Sequence, residues 1–321
     1  MLIPLRSPQE AVKPTAVAVG SFDGLHKGHR RVITNISENS TTIGVPTVVS
    51  FWPHPREVLY GDPRLRLDMP AEKLTLLESL GIKQLVLVPF SERLAELTPE
   101  IFVRQVLKQQ LGALKVAVGK NFRFGVNRSG DTSALGRIAQ EMGIKVEILP
   151  ILWDGNERVS SSRIRRALGE GKIQEATRLL GRPYRFSGRV VNSSDVKRNH
   201  GLPTLKVIVD GRKFLPRQGI YAVWVRLDKG DVGLSSGGPI GAIMSLGPQS
   251  LVDPTIPSQV EVYFLDGRAD FDEVRVYIEP VSLLRGQQEF WGTEGFYQQI
   301  HNDIMQARKR LEIPNDYNIY D

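Results

Sequence analysis

The stretch TAVAVGSFDGLHKGH, residues 15–29, decides the fold of the first half of the chain. Thr15 to Val19 are small or β-branched and uncharged, as expected of a strand buried on both faces. Gly20 and Gly24 then mark a turn, and His26 and His29 stand three apart where a helix should begin. The N-terminus of a helix entered through a glycine-bearing turn presents unpaired N–H groups and the positive end of its dipole, so it favours an anion. Gly28, between the histidines, would let a bulky phosphate approach the backbone. Both histidines would face that anion as donors, able to stabilise charge developing on a phosphoryl group.

Other readings of the pair fit less well. Two exposed helix residues would show the same spacing. A metal site would want a partner cluster, but the chain has no cysteine and only Asp23 stands nearby. GSFDG does not match the dinucleotide pattern G-x-G-x-x-G. The P-loop pattern also fails, because Gly112 and Gly119 are too far apart and Asn121 follows Lys120 where Ser or Thr is required. A strand, turn and helix carrying H-x-G-H resembles the signature of the nucleotidyltransferase superfamily, in which a nucleoside triphosphate loses pyrophosphate as its α-phosphate is attacked.

Outward from this stretch, strand-like runs at 15–20, 46–51, 84–88, 114–119 and 145–149 alternate with helix patterns that include 70–80, 99–111 and 134–142. The alternation predicts a doubly wound parallel sheet covered by helices on both faces, with ligands beyond the C-terminal strand ends. After Gly181-Arg182-Pro183 the pattern changes. Runs at 188–192, 204–210, 219–227, 240–246, 260–265 and 274–281 follow one another without helices between them, which predicts an antiparallel barrel or sandwich. A helix over Thr293–Leu311 closes the chain before a polar tail. We therefore expect an α/β domain over residues 1–183 and a β domain over 184–321.

The composition is that of an ordinary soluble protein, 41% apolar and 24% charged over 321 residues. No apolar run is long enough to span a membrane, and Met1-Leu2-Ile3-Pro4-Leu5-Arg6 lacks the features of a secretion signal. A cytoplasmic protein, with no membrane partner, is the expectation. Lys and Arg number 42 against 35 for Asp and Glu, a net charge of +7, which points to anionic partners. A basic RNA-binding protein on a nucleotidyltransferase-like scaffold is one reading. The basic residues fall in short groups, however, without a basic tail or a strand of base-stacking aromatics, so small phosphorylated molecules are expected and nucleic acid is not.

A second motif, VSSSRIR at residues 159–165, reads as a serine cap on a basic amphipathic helix. It also offers hydroxyls and an arginine fork suited to phosphates that leave as pyrophosphate. The superfamily carries a serine/threonine–arginine motif late in the same domain, and SSSRIR resembles it. Two more stretches, SFWPHP at 50–55 and VGKNFRFG at 118–125, follow the second and fourth strands, and LGRPY stands at 180–184. Taken in order, these motifs resemble the bacterial bifunctional FAD synthetases, which join riboflavin kinase to FMN adenylyltransferase, along nearly the whole chain.

The resemblance implies a function and a set of roles. ATP would donate an adenylyl group to FMN, with Mg²⁺, and riboflavin would be the substrate of the second domain. His26 and His29 would contact the ATP phosphates, and Gly20, Asp23 and Gly28 would belong to the same binding loop. Phe51, Pro53, His54 and Pro55 would line a flavin pocket, with Asn121 between nucleotide and flavin and Arg123 close by. Ser161, Ser162 and Arg165 would hold the departing pyrophosphate, with Arg163 in the same run. The family motif usually has Thr at the position of Ser162, and serine keeps the hydroxyl. FMN would attack through its own phosphate oxygen, so catalysis would rest on positioning and charge stabilisation. A monomer or weak oligomer is expected, and an enzyme acting on another small phosphorylated alcohol is the alternative within this chemistry.

The β domain departs further from the family. Its kinases carry a glycine-rich stretch leading into P-T-A-N, whose Thr and Asn help hold Mg²⁺ and ATP. Here VVNSSDVKRNHGLPTLK keeps Pro203 and Thr204 but has Leu205 and Lys206 in place of Ala and Asn, with Ser193-Ser194-Asp195 where glycines are usual. Thr204 remains a metal ligand by resemblance. An ammonium cannot ligate Mg²⁺, although it can contact a phosphate. VEVYFLD at 260–266 matches the family strand whose glutamate activates the ribityl hydroxyl, which would make Glu261 the general base. Arg285, in LLRGQQEF, would contact flavin or nucleotide. A domain retained without kinase activity is the alternative reading of these changes.

Overall fold

The computed structural model describes residues 3–37, 43–61, 65–191, 203–228, 238–250, 253, 255–266, 275–287 and 293–314, with side chains from 298 onward in the last segment. Ser193-Ser194-Asp195, which stand where the family has glycines, the start of the sixth β run at Val274 and the QEF end of LLRGQQEF lie outside the described residues. By its internal contacts the chain divides into two units, Met1–Ser161 and Ser162–Asp321.

The first unit is built on a sheet of six strands: β1 (Leu5–Arg6), β2 (Thr15–Val19), β3 (Val45–Trp52), β4 (Gln84–Pro89), β5 (Ala113–Gly119) and β6 (Lys145–Leu149). Their order is β1-β4-β3-β2-β5-β6, and every neighbouring pair is parallel. All five strands expected from the sequence are present to within about two residues. The edge strand β1 was not expected, because two residues are too few to show a period.

Helix α1 (Lys27–Ser37) leads from β2 to β3. Then come α2 (Pro55–Tyr60), α3 (Pro70–Glu78), α4 (Glu92–Ala95), α5 (Pro99–Phe102) and α6 (Thr132–Glu141). The helix expected over 99–111 runs as α5 and then as a π-helical segment, Val103–Gln110.

The strands alternate between two cores, as the period of two requires. Ala16 and Ala18 of β2 and Ala117 of β5 face a core shared with Val32, Ile33 and Ile36 of α1. Val17, Val19, Val116 and Val118 face the opposite core, shared with Phe102, Val106 and Leu107. Alanine on the first face lets α1 lie close to the sheet. Because α1 and α3 cover one face and α5, its π-helical extension and α6 the other, the winding reverses between β2 and β5. Ligands in open parallel sheets bind beyond the strand ends at such a switch, and the loop after β2 lies there.

The first unit ends in a short hairpin, β7 (Trp153–Asp154) with β8 (Glu157–Arg158). Helix α7 (Ser161–Gly169) starts at the unit boundary and is followed by α8 (Ile173–Leu180). Both helices count with the second unit, where α8 packs on β14 and Gln174 donates to the carbonyl of Val281 at 3.0 Å. This division falls about twenty residues before the change of pattern in the sequence.

The second unit is a closed barrel of β9 (Phe186–Val191), β10 (Thr204–Val209), β11 (Gly219–Asp228), β12 (Ile240–Leu246), β13 (Ser258–Phe264) and β14 (Arg275–Arg285). The order around it is β10-β13-β12-β11-β14-β9, antiparallel throughout. Val207 and Val209, Val223 and Val225, and Val260, Val262 and Phe264 alternate into the filled interior. Helix α9 (Thr293–Leu311) covers the outside, seating Ile304, Ala307 and Leu311 on Ile220, Ala222 and Ile243. Of the two forms the sequence allows, barrel and sandwich, the second unit is the antiparallel barrel, with the expected closing helix.

Candidate functional site

The loop after β2 reaches its shape through left-handed backbone at Phe22 (φ 43°), Gly24 (φ 88°) and Leu25 (φ 39°). For the two non-glycine residues this conformation costs about 1–2 kcal/mol each. Phe22 and Leu25 are both buried in the α1 core, which offsets that cost. Asp23 is buried as well. Its Oδ1 accepts from the N–H groups of Leu67 at 2.9 Å and Asp68 at 3.4 Å, and its carbonyl accepts from the Ser161 hydroxyl at 2.8 Å. The Ser21 carbonyl accepts from the Ser50 hydroxyl at 3.1 Å and from Lys73 Nζ at 3.4 Å. The loop is therefore held from β3, from α3 and from the start of α7.

His26 caps α1: its Nδ1 accepts from the His29 N–H at 3.2 Å. With Nδ1 so engaged, the neutral ring carries its proton on Nε2. The two imidazoles stack with centroids 3.6 Å apart, and Phe22 meets His29 edge-on at 5.3 Å. Burial pushes the pKa of His26 down to about 4, against smaller opposing effects of a backbone hydrogen bond, Asp23 and Asp68. Burial drives His29 well below its ordinary value, and His26 and Lys73 push it the same way. Both rings are neutral at pH 7. His29 Nδ1 is buried and makes no hydrogen bond among the described residues. The space a side chain at Gly28 would need is filled by the His26 ring, 3.2 Å from an ideal Cβ, so glycine there accommodates the stacked histidines.

A cavity opens beside the loop at the ends of β2 and β3, lined by Ser21, Asp23, Ser50, Phe51, Trp52, Arg66, Asp68 and Lys73 among others. Phe51 is the one residue of the expected flavin set that lines it. Pro53, His54 and Pro55 turn instead into α2, where His54 is the cap: its Nδ1 accepts from the Arg56 N–H at 3.1 Å while Glu57 accepts from the His54 N–H at 2.9 Å. Glu57 also takes a two-pronged bond from Arg66, at 2.9 and 2.8 Å, and Arg66 lies over the Trp52 ring at 4.7 Å.

Asp68, Arg66 and Lys73 were not singled out in the sequence. Nothing in the local spacing of LRLDMPAEK marks them as buried. Burial lowers the Lys73 ammonium, partly offset by Asp23 and Asp68.

The remaining expected residues divide between the loop, the surface of the first unit and the second unit. Asn121 is exposed just past β5, and Arg123 pairs at the surface with Asp131, the cap of α6, at 3.3 Å. Gly20 packs under the Phe22 ring. Ser161 reaches the loop through Asp23, while Ser162, Arg163 and Arg165 belong to the second unit. There Ser162 is exposed, Arg163 is buried against Glu175 at 3.1 Å, and the Arg165 guanidinium lies 5.8 Å from the centre of the Phe214 ring.

On the barrel, Thr204 and Lys206 alternate outward from β10 and stand opposite Tyr263 and Glu261 of β13. Lys206 Nζ lies 3.9 Å from Glu261 Oε1, and the Tyr263 hydroxyl donates to Glu261 Oε2 at 2.8 Å. Thr204 is buried, whereas the Lys206 side chain is 68% exposed and Glu261 40%. Arg285, expected to contact ligand, makes a two-pronged bond to the buried Asp303 of α9 at 2.8–3.0 Å. That bond ties the closing helix to β14.

Two family models match in succession: FAD synthetase over residues 8–163 and riboflavin kinase over residues 180–311. The bifunctional riboflavin kinase/FMN adenylyltransferase of Escherichia coli K12 is 32% identical over 306 residues, covering 95% of this chain and 94% of that protein. The protein of the same name from Pseudomonas fluorescens is 31% identical over 291 residues, covering 90% and 91%. Among solved structures, one described as a macrolide-efflux protein from Streptococcus pneumoniae is 25% identical with a TM-score of 0.80, over 96% of this chain and 99% of that one. Among the described residues no helix is long and apolar enough to cross a membrane. With both models in order on one chain, and relatives above 30% identity along nearly its full length, the chain belongs to the bifunctional riboflavin kinase/FMN adenylyltransferase family.

Proposed function

We propose that this protein makes FAD in two steps, phosphorylating riboflavin to FMN and then transferring the adenylyl group of ATP to FMN. The observation that carries this reading is the presence of both family models, in order, on a chain whose β2–α1 loop presents two stacked neutral histidines at the switch point of a parallel sheet. Adenylyl transfer is assigned to residues 1–183 and riboflavin phosphorylation to residues 184–321.

In the adenylyl step an FMN phosphate oxygen forms a bond to the α-phosphorus of ATP as the bond to pyrophosphate breaks. His26 and His29, neutral at pH 7, act as donors to the phosphates rather than as acids. His26 does so through Nε2–H, because Nδ1 is committed to the α1 cap. The buried, unbonded Nδ1 of His29 supports a ligand contact at that ring. Phe51, with Trp52 in the same cavity, offers the aromatic wall a flavin requires. On sequence grounds Ser161, Ser162 and Arg165 hold the pyrophosphate, and Asn121 contacts the ligands.

In the kinase step Glu261 takes the proton of the ribityl terminal hydroxyl as that oxygen attacks the γ-phosphorus of ATP. Mg²⁺ would come with the nucleotide, since magnesium is usually held largely by phosphates and water, and would supply charge neutralisation at the phosphates. The barrel offers the Thr204 hydroxyl as a metal ligand, but Lys206 has no lone pair to give. The two-ligand set of the family does not fit this chain, and no step is derived through it. We place the protein in the cytoplasm, acting on small molecules as a monomer or weak oligomer.

The test is product analysis after incubation with riboflavin, ATP and Mg²⁺. FAD formed from riboflavin supports both activities. FAD formed from FMN alone removes the kinase, and no FAD from either removes the whole reading.

A further inference from the structure

Glu261 stands on the outer face of the barrel, where an unsupported glutamate would sample many orientations. Two neighbours on that face hold it, and a third stands beside it. Tyr263, two residues along β13 and so on the same face, donates its hydroxyl to Oε2 at 2.8 Å. Lys206 of β10, directly opposite Glu261, brings its ammonium to 3.9 Å from Oε1, within ion-pair range but beyond a hydrogen bond. Ser245 of β12 lies opposite Glu261 on the other side. The two carboxylate oxygens are thus in different situations: Oε2 is anchored, and Oε1, on a side chain 40% exposed, is turned towards the cation.

We infer that Tyr263 is a positioning residue for riboflavin phosphorylation, holding Glu261 so that Oε1 is the oxygen that accepts the substrate proton. The inference rests on the reading of Glu261 as general base. In the step it serves, the ribityl hydroxyl proton passes to Oε1. The hydroxyl oxygen forms a bond to the γ-phosphorus of ATP, the bond from that phosphorus to the β–γ bridging oxygen breaks, and ADP leaves. Tyr263 exchanges no proton. Burial raises its pKa, and Glu261 adds to the shift, so it remains a donor throughout the neutral range. A phenol is well suited to the task, because a two-torsion aromatic side chain half-buried on a strand loses little freedom in making one directed bond.

The test is Tyr263→Phe in the full-length chain, which keeps the ring and removes only the hydroxyl. The expected result is a roughly tenfold fall in kcat for riboflavin phosphorylation, the size of one hydrogen bond to a charged group. KM for riboflavin and ATP should stay within about twofold. Conversion of FMN to FAD by the same sample, which needs none of these residues, should be unchanged and reports correct folding. In a Glu261→Gln background the same substitution should have almost no further effect, because Tyr263 acts only through the carboxylate. An unchanged kcat in Tyr263→Phe, a rise in KM alone, or an equal loss in the Glu261→Gln background would each overturn the inference. A wild-type chain that converts FMN to FAD but makes no FMN from riboflavin would overturn the kinase reading and this inference together.

Discussion

At the β2–α1 loop, a buried and a half-buried histidine lie stacked, neutral through desolvation, on a backbone held by left-handed residues and a buried aspartate. On the barrel, Glu261 and Lys206 face each other across neighbouring strands in partial contact with water. The first site is prearranged against a core, with no charge on its two histidines. The second carries its own charges on a surface, where screening keeps the Lys206–Glu261 pair worth about 0–1 kcal/mol. A preorganised, desolvated site should fail abruptly when altered, whereas an exposed one should change by degrees except at the group that handles the proton.

The sharpest break of that contrast is His29→Ala. We expect FMN adenylylation to fall by about 10²-fold or more, as for loss of a preorganised donor to a developing charge, while riboflavin phosphorylation by the same sample is retained. Steady-state rates for the two half-reactions, with thermal melting as a folding check, decide it. Unchanged adenylylation in a folded variant would remove His29 from the mechanism.

Glu261→Gln probes the other side. The loss of riboflavin phosphorylation should be about 10²-fold, the usual contribution of a positioned base, with adenylylation retained. If the variant keeps most of its kinase activity, the barrel site works without a base at this position.

Acid should separate the two regions by stability. His26 has a folded-state pKa of about 4, below its ordinary value of 6.5, because burial favours the neutral ring. Its contribution is therefore fully present above pH 6.5 and is lost progressively as pH falls from 6.5 to 4, up to about 3 kcal/mol. His29 is shifted in the same direction and adds to the effect. Chemical denaturation at pH 7.5, 5.5 and 4 should show the first unit weakening across this window, and His26→Asn should flatten the dependence. An equally steep loss in that variant would assign it to other groups.

The smallest effect concerns Lys206→Asn. Because the ion pair is exposed, the melting temperature should be unchanged. If Lys206 contacts a substrate phosphate, riboflavin phosphorylation should lose about 3-fold to 10-fold in kcat/KM, a change of roughly 1 kcal/mol. A rise in kcat/KM would show instead that an amide improves this barrel and that Lys206 holds it back.

The sequence by itself determined the classes of the two domains and the resemblance to the family, while closure of the second into a barrel was left to the structure. Strand–helix alternation up to residue 183, and β runs without helices after it, carry the period that burial on two faces or on one face imposes, and that information is local. It also determined that His26 and His29 begin a helix after a glycine turn, and that Lys206 stands where the family has an asparagine. Tertiary structure decided how those residues are used. Gly28 makes room for a stacked imidazole, His54 and Glu57 cap a short helix, and Arg163 and Arg285 are committed to Glu175 and Asp303. The same is true of Asp68 and Lys73, which reach the loop from residues more than forty positions away, and of the Glu261–Lys206 pair, formed by strands more than fifty residues apart. Such placements depend on which strand lies beside which and on what water is excluded. Neither is written in the local spacing of a chain, so a charged residue in a sequence shows its chemistry but not its partner.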